Sequence, residues 1–216
     1  MMLVNPFWFT PAGPSLFILD TFTGADGTAL SSHTPEIGGN WVQNVSFGAG
    51  GLRIEGNTIQ RSATTDSGSY SNTFFTPISK WYVELIVIFA NIATEASVLL
   101  CRNGSFITPS DISSYFAWIR RRVSGGANSR IDGFGGANLG NLATPFTANT
   151  PYTIRLEFDT VGGTTVQNMY VNTVLVHTTS PAVPTPDWFS DRLLIRLTGV
   201  NPSDVSVDRI EVGPLA

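Results

Sequence analysis

Apolar residues in this chain recur at every second position or in short continuous runs, and no stretch of ten or more residues has a helical repeat. A period of two is typical of strands, whose side chains alternate between two faces. The pattern therefore predicts an all-β protein in which two antiparallel sheets pack together. The predicted strands are residues 52–60, 80–90, 96–102, 114–123, 129–134, 152–159, 164–171, 174–178, 192–198 and 205–212.

Turn-forming residues separate several of these strands. Residues 124–128 (Ser-Gly-Gly-Ala-Asn) are expected to close one hairpin, residues 162–163 (Gly-Gly) a second and residues 172–173 (Asn-Thr) a third. The last two turns together predict a three-stranded antiparallel meander over residues 152–178.

Length and composition predict one domain with a largely neutral polar surface. The chain has 216 residues, of which 42% are hydrophobic and 13% charged, and its formal net charge of −4 gives no field that would hold nucleic acid. Cys101 is the single cysteine, so no disulfide can form within the chain, and we expect it to be buried. The apolar N-terminus lacks basic residues and contains Pro6, Pro11 and Pro14, which predicts neither a signal peptide nor a membrane span.

Alternation in three predicted strands leaves arginine and aromatic residues on the side opposite to the apolar positions. This side holds Arg155 in one strand, Arg196 in another, and Trp118, Arg120 and Arg122 in a third. A flat ring beside a planar guanidinium suits a sugar ring or a protein partner, so these five residues form the candidate ligand-binding face. The opposite register, which places Trp118 in the core, fits the same pattern.

The chain contains several short strings of turn and strand residues: 20–24 (DTFTG), 27–30 (GTAL), 33–35 (HTP), 38–41 (GGNW), 152–159 (YTIRLEFD), 170–172 (YVN), 174–176 (VLV) and 207–213 (VDRIEVG). Together these strings resemble the concanavalin-like (laminin-G-like) jelly-roll domains of bacterial and phage structural proteins. The resemblance spans residues 20–216 and implies a two-sheet jelly-roll sandwich. The start at residues 5–9 (Asn-Pro-Phe-Trp-Phe) is similar to the start of phage virion proteins that carry such a domain, which implies a virion structural protein.

Residues 1–19 are interpreted as an extended anchoring arm that precedes the domain. Pro6 disfavours a compact core element, and Phe7, Trp8 and Phe9 would be costly to leave in water, so we expect the arm to bind a partner chain. Packing of the arm on its own domain is the alternative. The expected partners are other virion proteins such as the major capsid protein, and further copies of this chain, for example in a trimer.

No catalytic set is apparent in the sequence. Glucanases of the concanavalin-like fold carry Glu-x-Asp-x-(x)-Glu on one strand, and the nearest approach here is Glu157 with Asp159. Two distant histidines and one cysteine do not form a zinc site, and no cofactor is expected apart from calcium. If the first and last strands are neighbours, Asp20, Asp26 and Asp208 are candidate calcium ligands; the alternative is that these residues form turns.

The sequence thus favours a non-enzymatic phage virion structural protein, made in the cytoplasm of a bacterial host and located in the virion as a capsid decoration, head fibre or tail-associated protein. The alternative is a carbohydrate-binding, lectin-like module for host surface glycans. A third hypothesis, a glycoside hydrolase, requires that replacement of Glu157 or Glu84 abolishes turnover.

Overall fold

The computed structural model describes residues 15–43, 51–64, 67–71, 79–91, 93–103, 115–121, 129–132, 142, 145–161, 164–179 and 192–215. These residues form fourteen strands and one short 3-10 turn, η1 (Leu30–Ser32), and the prediction of an all-β protein with two packed sheets is confirmed. No helix in these ranges has the length and apolarity needed to cross a membrane. The strands are β1 (Ile18–Asp20), β2 (Trp41–Gln43), β3 (Leu52–Glu55), β4 (Thr58–Arg61), β5 (Ser67–Ser71), β6 (Lys80–Phe89), β7 (Ala96–Asn103), β8 (Tyr115–Arg121), β9 (Ser129–Asp132), β10 (Pro151–Val161), β11 (Thr164–Val171), β12 (Val174–Thr179), β13 (Arg192–Thr198) and β14 (Val205–Pro214).

Every strand pair that the described residues form is antiparallel. The larger sheet has eight strands in the order β12-β11-β10-β6-β14-β4-β3, with β1 paired to β14 beside this path. The smaller sheet has six strands in the order β2-β5-β13-β7-β8-β9. Because β6 lies between β10 and β14, the centre of the larger sheet joins segments that are far apart in the chain.

The core lies between the two sheets and is built by alternation along the central strands. Val83, Leu85 and Val87 of β6 are buried in one core cluster that also contains side chains of β13 and β7 from the other sheet. Full burial of such a side chain contributes about 1.5 to 3 kcal/mol, so these positions fix which face of each strand turns inward. The other core residues of the central strands are Trp81, Phe89, Ala96, Val98, Leu100, Ile154, Leu156, Phe158, Leu193, Ile195, Leu197, Val205, Val207, Ile210 and Val212.

The predicted strand over residues 52–60 is wrong, because the structure divides it into the hairpin of β3 and β4. Gly56 and Asn57 form the turn with φ of 60° and 57°, and these left-handed values suit glycine and asparagine. Three short strands that were not predicted, β1, β2 and β5, complete the sheets.

The meander predicted over residues 152–178 is confirmed as β10, β11 and β12. Asn172 and Thr173 have φ of 49° and 69°, as the tight turn requires, and residues 162–163 lie between the paired ends of β10 and β11. Strands β8 and β9 also pair as predicted, whereas the turn at residues 124–128 lies outside the described residues.

The first and last strands of the described chain are neighbours. Ile18 pairs with Val212 and Asp20 with Ile210, and the backbone N–H of Phe17 donates to Val212 at 2.8 Å. Ile18 is buried in the core. Residues 18 and 19, which the predicted boundary assigned to the arm, are therefore part of the sandwich.

The loop that leads into β14 is held by the buried carboxylate of Asp204. Its Oδ2 accepts hydrogen bonds from the backbone N–H groups of Val200 at 3.0 Å and Asn201 at 2.8 Å, and from Oγ1 of Thr94 at 3.0 Å. Burial opposes ionisation, but the hydrogen bonds from Asn201, Thr94 and Asn91 prevail and lower the pKa of Asp204 below its ordinary value. Asp204 is therefore an ionised structural anchor.

The two outer edges of the larger sheet differ. At the β3 edge the segment 27–29 lies alongside, with hydrogen bonds from Gly27 N to Ile54 O at 2.9 Å and from Ile54 N to Thr28 O at 2.8 Å. At the other edge β12 is the terminal strand, and Val174, Leu175 and Val176 are exposed. One edge is therefore covered by the chain itself, and the described residues place no strand on the other.

Candidate functional site

A group of charged and tyrosine side chains lies on the outer face of the eight-stranded sheet, and we call it the Arg155 cluster. Arg155 of β10 pairs with Glu84 of β6, and Glu84 in turn pairs with Glu211 of β14. Directly paired residues share a face, and the neighbours of Arg155 on its own strand, Ile154 and Leu156, are buried in the core. The cluster consists of Tyr82, Glu84, Arg155, Glu157, Tyr170, Arg209 and Glu211.

Arg155 is held at the centre of the cluster from three sides. Its Nε donates to Oε1 of Glu157 at 2.8 Å, and its Nη1 donates to Oε2 of Glu84 at 3.4 Å. Its Cζ lies 3.8 Å from the centroid of the Tyr82 ring, which is a cation–π contact. Partial burial works against the charged form, but the bonds to Glu157 and Glu84 prevail and raise the pKa of Arg155. The guanidinium is therefore fixed in orientation and always charged.

The far side of the cluster is organised by Glu211. Its carboxylate accepts hydrogen bonds from the hydroxyl of Tyr82 and from Nη2 of Arg209. Burial and the contact with Glu211 raise the pKa of Tyr82 to about 12, and burial together with Glu157 raises the pKa of Tyr170. Both phenols keep their protons at neutral pH, so they act as hydrogen-bond donors and not as bases.

The cluster is fixed in position and still reachable from solvent. The side chain of Arg155 is 31% exposed and that of Glu84 is 22% exposed. Three carboxylates, two guanidinium groups and two phenols thus present donors and acceptors at set positions beside an aromatic ring. One negative charge of the cluster is uncompensated within it. Such a face can bind a polyhydroxylated ligand through several hydrogen bonds at once.

The five predicted ligand-binding residues do not form a single face. Arg155 belongs to the larger sheet, whereas Arg120 and Arg196 belong to the smaller one. Arg196 is only 6% exposed, so the expectation of an outward, accessible arginine at this position is corrected. The side chains of Trp118 and Arg122 lie outside the described part.

The backbone pairing of β8 is described at position 118. Position 118 pairs with Leu99, which pairs with Arg196 on β13, and the next residue, Ile119, is fully buried in the core. The choice between the two registers for the side chain of Trp118 stays a prediction. A bulge near Cys101 breaks the simple alternation on the N-terminal side of position 118.

Two of the three calcium candidates have protein partners instead. Oδ1 of Asp20 accepts from the backbone N–H of Phe22 at 2.7 Å and from Nε2 of His33 at 2.8 Å, and Oδ2 accepts from Nε1 of Trp41 at 2.6 Å. Burial raises the pKa of Asp20, although these hydrogen bonds oppose the shift. Asp26 accepts from the backbone N–H of Gly56 at 2.7 Å.

The premise of the calcium prediction, that the first and last strands are neighbours, is met, and Asp208 lies half-buried in β14. Within the described ranges, however, the acidic, histidine and cysteine residues form no group of three or more that could hold a metal ion. Asp20 instead holds Phe22 in a left-handed conformation with φ of 51° and joins His33 and Trp41 to β1. The arrangement favours the alternative of turn-forming aspartates for Asp20 and Asp26.

Other members of the Arg155 cluster were not predicted as a site. Tyr82, Tyr170, Arg209 and Glu211 lie on three different strands, and only the strand order brings them together. The available signal was weak: each occupies a polar position in an alternating strand. The predicted partner-binding residues Pro6, Phe7, Trp8 and Phe9, and the side chain of Cys101, lie outside the described residues.

No protein-family model and no curated protein matches the sequence. Among solved structures the chain is similar to an endo-1,3-β-glucanase from Streptomyces sioyaensis, at 13% identity and a TM-score of 0.63 over 100% of both chains. It is also similar to a mutant of alginate lyase Aly36B in complex with alginate tetrasaccharide, at 14% identity and a TM-score of 0.57 over 94% of this chain and 98% of that one. A third similar structure is the carbohydrate recognition domain of Emp47p, at 12% identity and a TM-score of 0.57 over 92% of this chain and 98% of that one.

These likenesses overturn one prediction and confirm another. The prediction that the chain is not an enzyme is contradicted, because a glucanase and a lyase share its fold. That prediction rested on the missing Glu-x-Asp-x-x-Glu strand, and the absence of one hydrolase motif excludes one mechanism, not catalysis as a whole. The fold prediction is confirmed: the chain has the concanavalin-like jelly-roll fold.

Proposed function

We propose that this chain is a carbohydrate-binding domain and that the Arg155 cluster is its ligand site. The observation that carries the proposal is the guanidinium of Arg155, which is fixed between Glu157 and Glu84 above the ring of Tyr82. A sugar hydroxyl is both a donor and an acceptor, so neighbouring hydroxyls can bind a carboxylate and a guanidinium at the same time. Groups already ordered by one another lose little conformational entropy when a ligand binds.

The charges of the cluster favour a neutral glycan over an acidic one. Three carboxylates face two guanidinium groups, and Glu84 and Glu157 already bind Arg155. A polyuronate would bring further carboxylates against this excess, and like charges at such an interface disfavour binding. We therefore expect neutral oligosaccharides to bind and acidic ones to bind weakly.

The likenesses support this proposal at the level of the fold. The three similar structures are described as a carbohydrate recognition domain, a glucanase and a lyase bound to alginate tetrasaccharide, so this sandwich accommodates carbohydrate in other proteins. The location of the domain on a virion, where it would bind host glycans, stays a prediction.

Calorimetric titration of the full chain with neutral β-glucan oligosaccharides and with alginate oligosaccharides tests the proposal. We expect binding of a neutral glycan that falls by about tenfold or more in Arg155→Met, which keeps the apolar stem and removes the guanidinium. Arg53→Met is the matched control, since Arg53 pairs with Glu55 at 3.1 Å on β3, away from the cluster. Absence of binding to neutral glycans, or equal losses in both variants, would contradict the proposal.

One observation favours hydrolysis as a second candidate function. Glu84 and Glu157 bind the same guanidinium, so two carboxylates share one accessible face, and cleavage of a glycosidic bond needs such a pair. If the pair is catalytic, the wild-type chain releases reducing ends from a β-glucan, and Glu157→Gln and Glu84→Gln each abolish the release. Glu55→Gln, outside the cluster, serves as the control. If the wild-type chain binds the β-glucan but releases no reducing ends, hydrolysis is ruled out for this substrate and the binding proposal alone stands.

A further inference from the structure

The terminal strand β12 of the larger sheet presents apolar side chains to solvent. Val174, Leu175 and Val176 are 64%, 52% and 39% exposed, and they are consecutive. On its inner side β12 pairs with β11, and among the described residues no strand pairs with its outer side. The edge therefore combines free backbone hydrogen-bonding positions with an apolar strip.

Natural sheet edges are usually protected against pairing with another chain, by charged residues, by proline or by a covering segment. The sequence of β12, Val-Leu-Val-His-Thr-Thr, contains no acidic residue, lysine, arginine or proline. A bulge at Val176, where the register with β11 shifts opposite Met169 and Tyr170, bends the strand but leaves the apolar side chains exposed.

The opposite edge of the same sheet shows the contrast. There β3 is covered by residues 27–29, and Ile54 exchanges backbone hydrogen bonds with Gly27 and Thr28. Among the described residues, the larger sheet thus has one edge that its own chain covers and one edge on which no segment lies. An open, neutral and apolar edge is what pairing with another strand requires.

We propose that β12 pairs in antiparallel orientation with β12 of a second copy, so that the two larger sheets become continuous across a homodimer. The uncharged strand can face itself without like-charge repulsion, and a register centred on Leu175 places Val174 of one copy opposite Val176 of the other. Antiparallel pairing of β12 with itself uses the same edge of both copies, and among the described residues the β3 edge of the larger sheet is covered. The assembly therefore closes as a two-fold dimer and does not grow into a filament.

Sedimentation velocity of the full chain over a range of micromolar concentrations tests the dimer. We expect Leu175→Lys to weaken dimerisation by about a hundredfold, because it places two like charges opposite each other at the two-fold axis. Leu175 is exposed, so this variant should fold, and its thermal unfolding should match that of the wild-type chain. Val200→Lys, at another exposed apolar position that lies in a loop, should leave the dimer intact.

Cross-linking tests the register. In a Cys101→Ser background, Leu175→Cys should form a disulfide-linked dimer on oxidation, because facing residues of antiparallel strands are within disulfide distance. Val200→Cys should not. A monomer at all concentrations, or a dimer that Leu175→Lys leaves unchanged, would overturn the proposal. A dimer that disappears on deletion of residues 1–14, without any Leu175→Cys cross-link, would overturn it in favour of the N-terminal arm as the occupant of the edge.

Discussion

The Asp20 site and the Arg155 cluster use the same chemistry in opposite surroundings. Asp20 is fully buried, and its two oxygens accept from Phe22, His33 and Trp41. In the Arg155 cluster the carboxylates are partly open to solvent and bind arginine. A buried polar group that loses its partner pays the full cost of desolvation, whereas an exposed one binds water instead. The Asp20 network therefore maintains the fold, whereas the Arg155 cluster is available to bind a ligand.

Removal of the Asp20 carboxylate should have the largest effect on stability. Asp20→Ala leaves the N–H groups of Phe22 and Trp41 and the ring of His33 without an acceptor in a buried region, so we expect a loss of about 3 to 5 kcal/mol in the free energy of unfolding. Urea denaturation followed by tryptophan fluorescence measures this loss.

The matched control for that experiment is Asp26→Ala, since Asp26 accepts one hydrogen bond from Gly56 at an exposed turn. A loss of about 0.5 to 1.5 kcal/mol is expected there. If the two variants lose equal stability, burial does not make the contribution of Asp20 to stability larger than that of Asp26.

The pH dependence of stability gives a second test, with opposite signs for two buried carboxylates. Asp204 has a lowered pKa, so its contribution is present above the unfolded pKa of about 4 and is lost as the pH falls through its folded pKa. Asp20 has a raised pKa, so its contribution is complete below about pH 4 and is lost as the pH rises through its folded pKa.

Urea denaturation at a series of pH values from strongly acidic, well below pH 4, to neutral separates the two contributions. Asp204→Asn should flatten the loss of stability on acidification, and Asp20→Asn should flatten the loss on raising the pH above about 4. Parallel stability curves for the wild-type chain and either variant would show that the altered carboxylate does not titrate differently on folding.

The smallest effect on stability is expected from the Arg155 cluster. Arg155→Met should change the free energy of unfolding by less than about 1 kcal/mol, because Glu84 and Glu157 can be hydrated once the guanidinium is removed. The same denaturation experiment measures it. A loss of stability as large as that of Asp20→Ala would show that the Arg155 cluster maintains the fold, and it would contradict the proposed role of the cluster as a ligand site.

Strand alternation was enough to predict much of the fold. The alternating apolar positions predicted in β10 and β13, such as Ile154 and Leu156 or Leu193 and Ile195, face the core, because burial of one face fixes the register of a strand. The strands β1 and β2 have three residues each, too few for a period to be recognised. The turn at Gly56 and Asn57 was missed although residues 55–58 (Glu-Gly-Asn-Thr) separate the buried Ile54 and Ile59, and a glycine next to an asparagine is itself a turn signal.

The candidate site was harder to predict from the sequence than the strands were, because the site depends on which strands are neighbours. Alternation placed Arg155 and Arg196 on polar sides of their strands, but it contains no information on the sheet to which each strand belongs. Glu84 and Glu211 are directly paired across β6 and β14, although more than half of the chain separates them. Strand order in a sandwich is set by long-range packing of the whole core, and a local pattern does not record it.

The pairing of β1 with β14 also determines how the domain responds to a pulling force. Ile18 at the start of β1 lies beside Val212 near the end of β14, so a load applied through both ends of the chain would open this ladder one hydrogen bond at a time, as a zipper opens. If the force acts between one end of the chain and a ligand bound to the sheet face, it is carried by many strands in parallel. Tethering by a single end therefore suits this sandwich mechanically.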